Sequence, residues 1–171
     1  MITLSSIKYH NDHRGVFFEV PNEDALEFKQ TSISISKKNT LRGLHYQWNK
    51  PMGKKITLLR GAIIECVLDI NKRSINFGKT FIFEVSKDKN PSFYIPAGYA
   101  HGFLALEDET TLLYQQTSFY NKDFDECINP LDKELAIPWQ INKKTIIISE
   151  RDSCAPSFSE YKNRNILWRN Q

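Results

Sequence analysis

Three short stretches of this 171-residue chain combine polar side chains with glycine or aromatic residues: residues 41–47 (LRGLHYQ), 95–103 (IPAGYAHGF) and 114–120 (YQQTSFY). The first two contain His45 and His101, two of only four histidines in the chain. Both stand near glycines, which let a ligand approach the backbone closely. A free imidazole titrates near pH ~6.5, so a histidine in such a position suits a general base at neutral pH.

The histidine pattern argues against a metal centre. Residues 96–103 carry the pattern PxGxxHGF, which resembles the second conserved motif of cupins. Metal-binding cupins also need a first motif with His-x-His and a nearby Glu, whereas residues 41–47 supply only His45. Two histidines without a third nitrogen or a placed carboxylate make a poor iron or zinc site. We therefore expect a cupin barrel without a metal or other cofactor, and acid–base chemistry on an organic substrate.

Composition excludes several other classes of protein. The three cysteines, Cys66, Cys127 and Cys154, are far apart and form no CxxC pair, which argues against disulfides and zinc. The net charge of +3 is small and scattered, so a nucleic-acid groove is not expected. No run of about 18 apolar residues exists, and residues 1–15 lack an apolar signal region. These features predict a single cytoplasmic domain over residues 1–171 that binds neither nucleic acid nor membrane.

Strand patterns dominate the chain. Runs rich in β-branched and aromatic residues recur between turn residues, at 15–20, 31–36, 55–59, 62–70, 80–85, 92–95, 102–106 and 111–115. Helical periodicity is confined to residues 22–28 and the tail after Ser157. Many short strands at this spacing predict an all-β cupin or jelly-roll barrel with a few short helices. The interior of such a barrel can hold one small ligand.

The order of the motifs is specific to one family. Residues 41–47 resemble the signature of the dTDP-4-dehydrorhamnose 3,5-epimerase family, cupin-fold epimerases of nucleotide 4-keto sugars. Further stretches match that family in order from about residue 12 to about residue 155: 14–19 (RGVFFE), Lys54 seven residues before Gly61, 67–69 (VLD), 74–78 (SINFG), 95–103, Tyr114 with Tyr120, and 148–152 (ISERD). A single motif would be weak support, but an ordered set is strong.

The resemblance implies epimerisation at C3, C5 or both of a nucleotide-diphosphate 4-keto-6-deoxysugar, for surface polysaccharide synthesis. The C4 ketone acidifies the hydrogens at C3 and C5, so a base removes a proton and an acid reprotonates the opposite face of the enolate. The base would be His45, the acid Tyr120, and the carboxylate that orients the imidazole Asp152. Lys54 is the candidate for stabilising charge on O4. Asp69, at the end of a predicted central strand, is a rival partner for His45.

The resemblance also implies a set of substrate-binding residues: Arg14, Phe18, Glu19, Arg42, Gln47, His101 and Tyr114. Arg14, Arg42 and His101 would hold the diphosphate, because a guanidinium grips phosphate oxygens bidentately. In this family the strand bearing RGxFxE crosses to the partner subunit. We therefore expect a homodimer with exchanged N-terminal strands, in which Arg14, Phe18 and Glu19 serve the neighbour's site.

Several positions depart from the family pattern. Ser32 stands at an Asn position, an Ile of the same stretch stands at a common Arg position, Asn71 replaces Arg, and residues 130–132 (PLD) replace WND. These differences leave the substrate open. Alternatives are a single-centre epimerase, a 3,4-ketoisomerase, an epimerase of a GDP-4-keto-heptose, and a non-catalytic sugar-binding cupin. The missing His-x-His disfavours a metallo-oxygenase.

Overall fold

The computed structural model describes residues 1–22, 26–142 and 144–164. Across these ranges the chain forms thirteen strands and two short helices, which confirms the predicted all-β fold. In chain order they are β1 (Thr3–Ser5), β2 (Tyr9–Asp12), β3 (Gly15–Phe18), β4 (Gln30–Ser36), β5 (Thr40–Gln47), β6 (Lys54–Arg60), β7 (Ile63–Asp69), β8 (Thr80–Val85), β9 (Ser92–Ile95), β10 (Tyr99–Ala105), β11 (Thr110–Gln116), β12 (Asp125–Cys127), β13 (Ile147–Ile148), α1 (Glu150–Ser153) and α2 (Phe158–Asn163).

The predicted runs all fall on strands, whereas the two predicted helical segments differ in outcome. Helix α2 begins directly after Ser157, as predicted, and its capping box joins the Ser157 and Glu160 side chains to each other's backbone N–H groups. The helical turn predicted over residues 22–28 falls partly on residues 23–25, which lie outside the described residues. Within the described ranges, no helix has the length and apolar character needed to cross a membrane.

Two sheets pack face to face into the jelly-roll barrel. One has the strand order β1-β9-β6-β11-β4, and the other has the order β12-β5-β10-β7-β8, with β13 added in parallel to β5. The side chains between them form an apolar core: Ile56, Leu58, Ile63, Val67, Val85, Phe93, Ile95, Phe103, Ala105 and Leu112. This core fills one end of the barrel, and polar side chains occupy the rest of its interior.

A second apolar core covers the outer face of the six-stranded sheet. Alternate residues of β7, such as Cys66 and Leu68, pack there against Trp139, Phe158 and Tyr161 from the C-terminal part of the chain. Strand β7 is therefore buried on both faces, which explains its nearly continuous apolar sequence.

A β-bulge in β5 determines which side chains enter the barrel. His45 pairs with His101 and Arg42 pairs with Phe103, so three residue steps on β5 face two steps on β10. Strict alternation would place Arg42 and His45 on opposite faces, but the extra residue turns both inward. The two backbones approach closely at this point, since a Cβ on Gly43 would lie 2.4 Å from the Gly102 Cα atom.

The N-terminal hairpin stands apart from both sheets. Among the described residues, β2 and β3 pair only with each other. Val16 and Phe17 on this hairpin are 53% and 62% exposed. On the outer face of β4, Ile33 and Ile35 are also largely exposed. The chain therefore presents apolar side chains on both its hairpin and the outside of one sheet.

Candidate active site

A cavity of about 260 Å³ opens between the two sheets at the polar end of the barrel. Six of the predicted site residues line it: Arg42, His45, Lys54, His101, Tyr114 and Tyr120. They come from β5, β6, β10, β11 and the loop after β11, which are distant in sequence. Ser32, Gln116, Asp125 and Arg151 also line the cavity, although none of these four was predicted as a site residue.

His45 and Asp152 form a hydrogen-bonded pair in the wall of this cavity. The His45 Nε2 atom lies 2.8 Å from Asp152 Oδ1, and Asp152 Oδ2 accepts the Gly43 backbone N–H at 3.1 Å. Burial raises the pKa of Asp152, but hydrogen bonds from His45 and Gly43 outweigh it and lower the pKa overall. An ionised carboxylate only accepts hydrogen bonds, so Nε2 carries the imidazole proton. The lone pair of a neutral His45 is then on Nδ1.

Asp69, the rival partner for His45, is engaged elsewhere. Its Oδ2 atom accepts a hydrogen bond from the Ser74 hydroxyl at 2.6 Å, and its Oδ1 atom accepts the Asn71 backbone N–H at 3.0 Å. Asp69 therefore closes the turn after β7. Of the two alternatives, the structure brings Asp152 to His45.

Lys54 is held by a chain of polar groups that reaches into the core. Its Nζ atom lies 3.0 Å from His101 Nε2, and His101 Nδ1 lies 2.9 Å from Glu65 Oε1. Burial lowers the pKa of His101, with the charges of Lys54 and His45 adding to the effect. Neutral His101 can thus accept from the ammonium of Lys54 and donate to the carboxyl oxygen Oε1 of Glu65. Both ring nitrogens have protein partners, and the expected contact of His101 with the diphosphate stays a prediction.

Glu65 is a site residue that the sequence reading missed. Its side chain is completely buried, and Oε2 has no hydrogen-bond partner among the described residues. Burial raises the pKa of Glu65 well above its usual value, although the charge of Lys54 opposes this. Burial likewise lowers the pKa of Lys54. The sequence did contain a signal for this residue, because Glu65 interrupts the apolar run 62–70. An isolated buried charge is costly, so an acidic residue at such a position indicates a polar partner or a functional role.

Tyr120 follows β11 in a loop at the mouth of the cavity, and its side chain is 49% exposed. Tyr114 forms part of the cavity wall, where its hydroxyl lies 3.1 Å from Ser34 Oγ. Burial raises the pKa of Tyr114, so this phenol stays protonated at neutral pH. Tyr120, nearer the mouth, is the more accessible of the two phenols.

The structure does not place Gln47 where it was expected. Gln47 is 5% exposed and is not among the residues that line the cavity. Its Nε2 atom donates to the backbone carbonyls of Lys50 and Phe119, and its Oε1 atom accepts the Asn121 N–H. Both ends of the amide are thus bound to backbone, and the expected contact between Gln47 and substrate stays a prediction.

Two arginines bring positive charge to the cavity. Arg42 donates from Nε to Ser36 Oγ at 3.2 Å. Arg151 lies 2.7 Å from Asp125 Oδ2, and this ion pair joins α1 to β12 next to Tyr120 and His45. The sequence reading gave no role to Arg151 or Asp125, although Arg151 directly precedes Asp152.

Comparison with known proteins shows what this chain resembles. A family model described as dTDP-4-dehydrorhamnose 3,5-epimerase matches residues 2–160. This chain belongs to that family. The enzyme of the same name from Methanothermobacter thermautotrophicus is 38% identical over 151 residues, covering 84% of this chain and 82% of the relative. A dTDP-4-dehydro-6-deoxyglucose 3-epimerase from a Streptomyces species is 30% identical over 169 residues, covering 92% and 85%. The crystal structure of dTDP-4-dehydrorhamnose 3,5-epimerase from Elizabethkingia anophelis has a TM-score of 0.84 at 33% identity, covering 93% of this chain and 92% of that one.

The remaining predicted residues of this epimerase-family chain lie away from the cavity. Arg14 and Phe18 are on the N-terminal hairpin, and Glu19 directly follows it. The Arg14 side chain is 79% exposed and bonds to the carboxylate of Asp12. None of the three is among the residues that line the cavity of their own chain.

In the part of the chain that the structure describes, one group of side chains has donor atoms close enough to hold a metal ion. Donor atoms of His45, Cys127 and Asp152 lie within 4.8 Å of one another. The Cys127 thiol donates to the Gly43 carbonyl at 3.0 Å, and burial raises its pKa, so it stays protonated at neutral pH. A metal would require the thiolate and the lone pair of His45 Nε2. The hydrogen bonds and the raised thiol pKa favour an acid–base pair instead.

Proposed function

We propose that this chain, acting as one domain, epimerises a dTDP-linked 4-keto-6-deoxysugar at C3, C5 or both by acid–base catalysis without a cofactor. The observation that carries the proposal is the His45–Asp152 pair in one cavity with Lys54 and Tyr120. Family membership supports the substrate class, because the relatives are named for dTDP-linked deoxysugars.

Each of the four side chains has a distinct task. His45 removes the proton next to the C4 ketone, and Asp152 stabilises the imidazolium that results. Lys54 donates to O4, where negative charge develops in the enolate. Tyr120 delivers a proton to the face of the sugar opposite His45. Neutral His101 supports Lys54, because it accepts one of the three N–H groups and leaves two for the substrate.

The proposed site is completed by a second copy of the chain. In a homodimer with exchanged N-terminal hairpins, Arg42 of one subunit and Arg14 of the partner subunit would hold the diphosphate, with Phe18 and Glu19 of the partner subunit nearby. The unpaired hairpin and its exposed Val16 and Phe17 support this arrangement, since exchange would bury both. A cytoplasmic location stays a prediction.

Isotope exchange tests the reaction. The protein is incubated with dTDP-4-keto-6-deoxyglucose in D₂O, and deuterium in the sugar is counted by mass spectrometry. Two deuterons indicate action at C3 and C5, and one deuteron indicates a single centre. No deuterium with tight binding would favour a non-catalytic sugar-binding protein.

Two substitutions assign the base and the acid. His45→Asn should abolish exchange at every carbon, because no proton is removed. Tyr120→Phe should retain exchange but lose inversion, because the enolate regains a proton from the His45 face. A 3,4-ketoisomerase would tolerate Tyr120→Phe, since its proton stays on one face. Near wild-type exchange in His45→Asn would refute the assignment of the base.

Mixing two inactive variants tests hairpin exchange. In a heterodimer of His45→Asn and Arg14→Ala, exchange creates one intact site from a wild-type cavity and a wild-type hairpin. Random re-association should therefore restore about one quarter of wild-type activity. If each hairpin serves its own chain, every site carries one defect and no activity returns.

The number of inverted centres is the main open alternative. One relative is named a 3-epimerase, and another of similar coverage is named a 3,5-epimerase. Since both kinds are relatives of this chain, similarity does not decide the number of inverted centres. The deuterium count at each carbon distinguishes the two.

A further inference from the structure

The loop that carries Tyr120 is bound by glutamine side chains at three consecutive residues. Gln47 Nε2 donates to the Phe119 carbonyl at 3.3 Å, and Gln47 Oε1 accepts the Asn121 N–H at 2.9 Å. Between them, Gln30 Oε1 accepts the Tyr120 N–H at 2.9 Å. The backbone groups of a loop have no neighbouring strand to bond with. At this point the side-chain amides of Gln30 and Gln47 provide the hydrogen-bond partners instead.

The two glutamines come from opposite sides of the barrel. Gln30 is the first residue of β4 in the five-stranded sheet, and Gln47 is the last residue of β5 in the six-stranded sheet. The loop is thus tied to both sheets at the mouth of the cavity. Its position relative to His45, which lies on β5, depends on these two side chains.

A short relay fixes the orientation of the Gln30 amide. Its Nε2 atom donates to Ser32 Oγ at 3.3 Å, and Ser32 Oγ donates to Gln116 Oε1 at 3.1 Å. Because Nε2 is held by Ser32, Oε1 points to the Tyr120 N–H. Ser32 and Gln116 line the cavity, so the relay links the cavity wall to the loop.

We propose that Gln30 and Gln47 are positioning residues that place the Tyr120 phenol across the substrate from His45, an inference that rests on the proposed function. Among the described residues, the Tyr120 hydroxyl has no hydrogen-bond partner, and the side chain is half exposed. The ring is therefore positioned mainly through its backbone. Neither glutamine is among the residues that line the cavity.

Gln30→Met tests the proposal with the D₂O assay, because methionine keeps the length of the side chain but removes the acceptor for Tyr120 N–H. Inversion should fall roughly 10–100-fold, the scale expected when a catalytic group moves by about 1 Å. Deuterium exchange by His45 should persist, as in Tyr120→Phe. Gln30→Glu, made separately, keeps an acceptor for the Tyr120 N–H and should therefore retain inversion. In a Tyr120→Phe background, Gln30→Met should cause no further loss, because the group being positioned is already absent.

Gln115→Met is the matched control, since Gln115 lies beside the buried Gln116 and faces outward from β11. It should invert at the wild-type rate. If Gln30→Met fails to fold, Gln30→Asn provides the same test, because its amide falls one methylene short of Tyr120 N–H.

Wild-type inversion in Gln30→Met would overturn the proposal. So would an equal loss of exchange and inversion, or a change in KM alone, which would indicate a structural or substrate-binding role. These outcomes are separate from failure of the proposed function. If Tyr120→Phe itself inverts normally, the assignment of the acid is wrong, whereas a defect in Tyr120→Phe with normal Gln30→Met refutes only the positioning role.

Discussion

Replacing Asp152 by asparagine changes one atom and should reverse the proton position on His45. Asp152 Oδ2 accepts the Gly43 N–H, and this buried donor still needs an oxygen acceptor in the variant. The asparagine oxygen would occupy that position, so its NH₂ group would face His45 Nε2. Two donors cannot share a hydrogen bond, so the imidazole would move its proton to Nδ1. The nitrogen proposed as the base would then carry a proton.

The size of the effect follows from the tautomer. In Ser-His-Asp triads, replacing Asp by Asn leaves the geometry intact and lowers kcat about 10⁴-fold through the wrong tautomer. Each factor of ten is about 1.4 kcal/mol, so this loss equals about 5.5 kcal/mol of barrier. The His45–Asp152 distance of 2.8 Å and the 5% exposure of the Asp152 side chain make the same coupling available in this site. We expect a loss of about 10³–10⁴-fold in deuterium exchange at every carbon.

Exchange in D₂O measures this loss, and dTDP binding and thermal unfolding show whether the variant is folded. Asp69→Asn is the matched control, because Asp69 is equally buried but bonds to Ser74 and Asn71. It should lower stability and leave exchange by folded protein near the wild-type rate. If Asp152→Asn keeps exchange within about threefold of wild type while Asp69→Asn loses it, Asp152 does not orient the base and the reasoning fails.

Two further predictions concern the interior of the barrel. Burial lowers the pKa of Lys54, and the charges of Asp125 and Glu65 oppose this. Glu65→Gln removes the second charge wherever Glu65 is ionised, so the pKa of Lys54 should fall further. If protonated Lys54 is required, the alkaline limb of the kcat profile moves to lower pH, and an unmoved limb contradicts this coupling of Glu65 to Lys54. Phe93→Ala deletes a completely buried ring that packs at 5.1 Å against Phe83 and should cost about 3–5 kcal/mol of unfolding free energy in urea melts. Ile82→Ala, at a site 38% exposed, should cost clearly less, and equal losses would contradict this description of the core.

Much of the fold was predictable because local pattern and tertiary environment agree. Strand β4 has the predicted period of two, although its serines face the interior while Ile33 and Ile35 face outward, the reverse of an ordinary half-buried strand. Strand β7 is buried on both faces and reads as a continuous apolar run. Strands β1, β2, β12 and β13 were missed because they have only two to four residues, too few to show a period.

The site was predictable from motifs and only partly from physical pattern. Arg42 and His45 are three positions apart in the sequence, so alternation alone would put them on opposite faces. The bulge that brings both inward depends on the close approach of Gly43 to Gly102, which lies 59 residues later in the sequence. The partners of Gln47 could not be predicted for a related reason, since they lie in a loop about 70 residues later.

Most departures from the family pattern lie outside the cavity. Ile33 and Ile35 point outward from β4. Asn71 belongs to the turn after β7, where its side-chain oxygen accepts the Arg73 N–H. Asp132 accepts the Phe158 N–H at the start of α2. These residues therefore affect packing, turns or assembly, and none of them contacts the cavity that holds His45.

Ser32 is the departure that can change what the cavity binds. It stands where the family pattern has Asn, and it lines the cavity. Its hydroxyl donates to Gln116 Oε1 and accepts from Gln30 Nε2. An asparagine side chain is longer and offers both an acceptor and two donors, whereas serine offers one hydroxyl. Specificity follows mainly from hydrogen bonds that a wrong substrate leaves unpaired. Within the cavity of a single chain, we therefore expect a difference in nucleotide or sugar preference to act at Ser32, and through Gln30 it would also reach the loop that carries Tyr120.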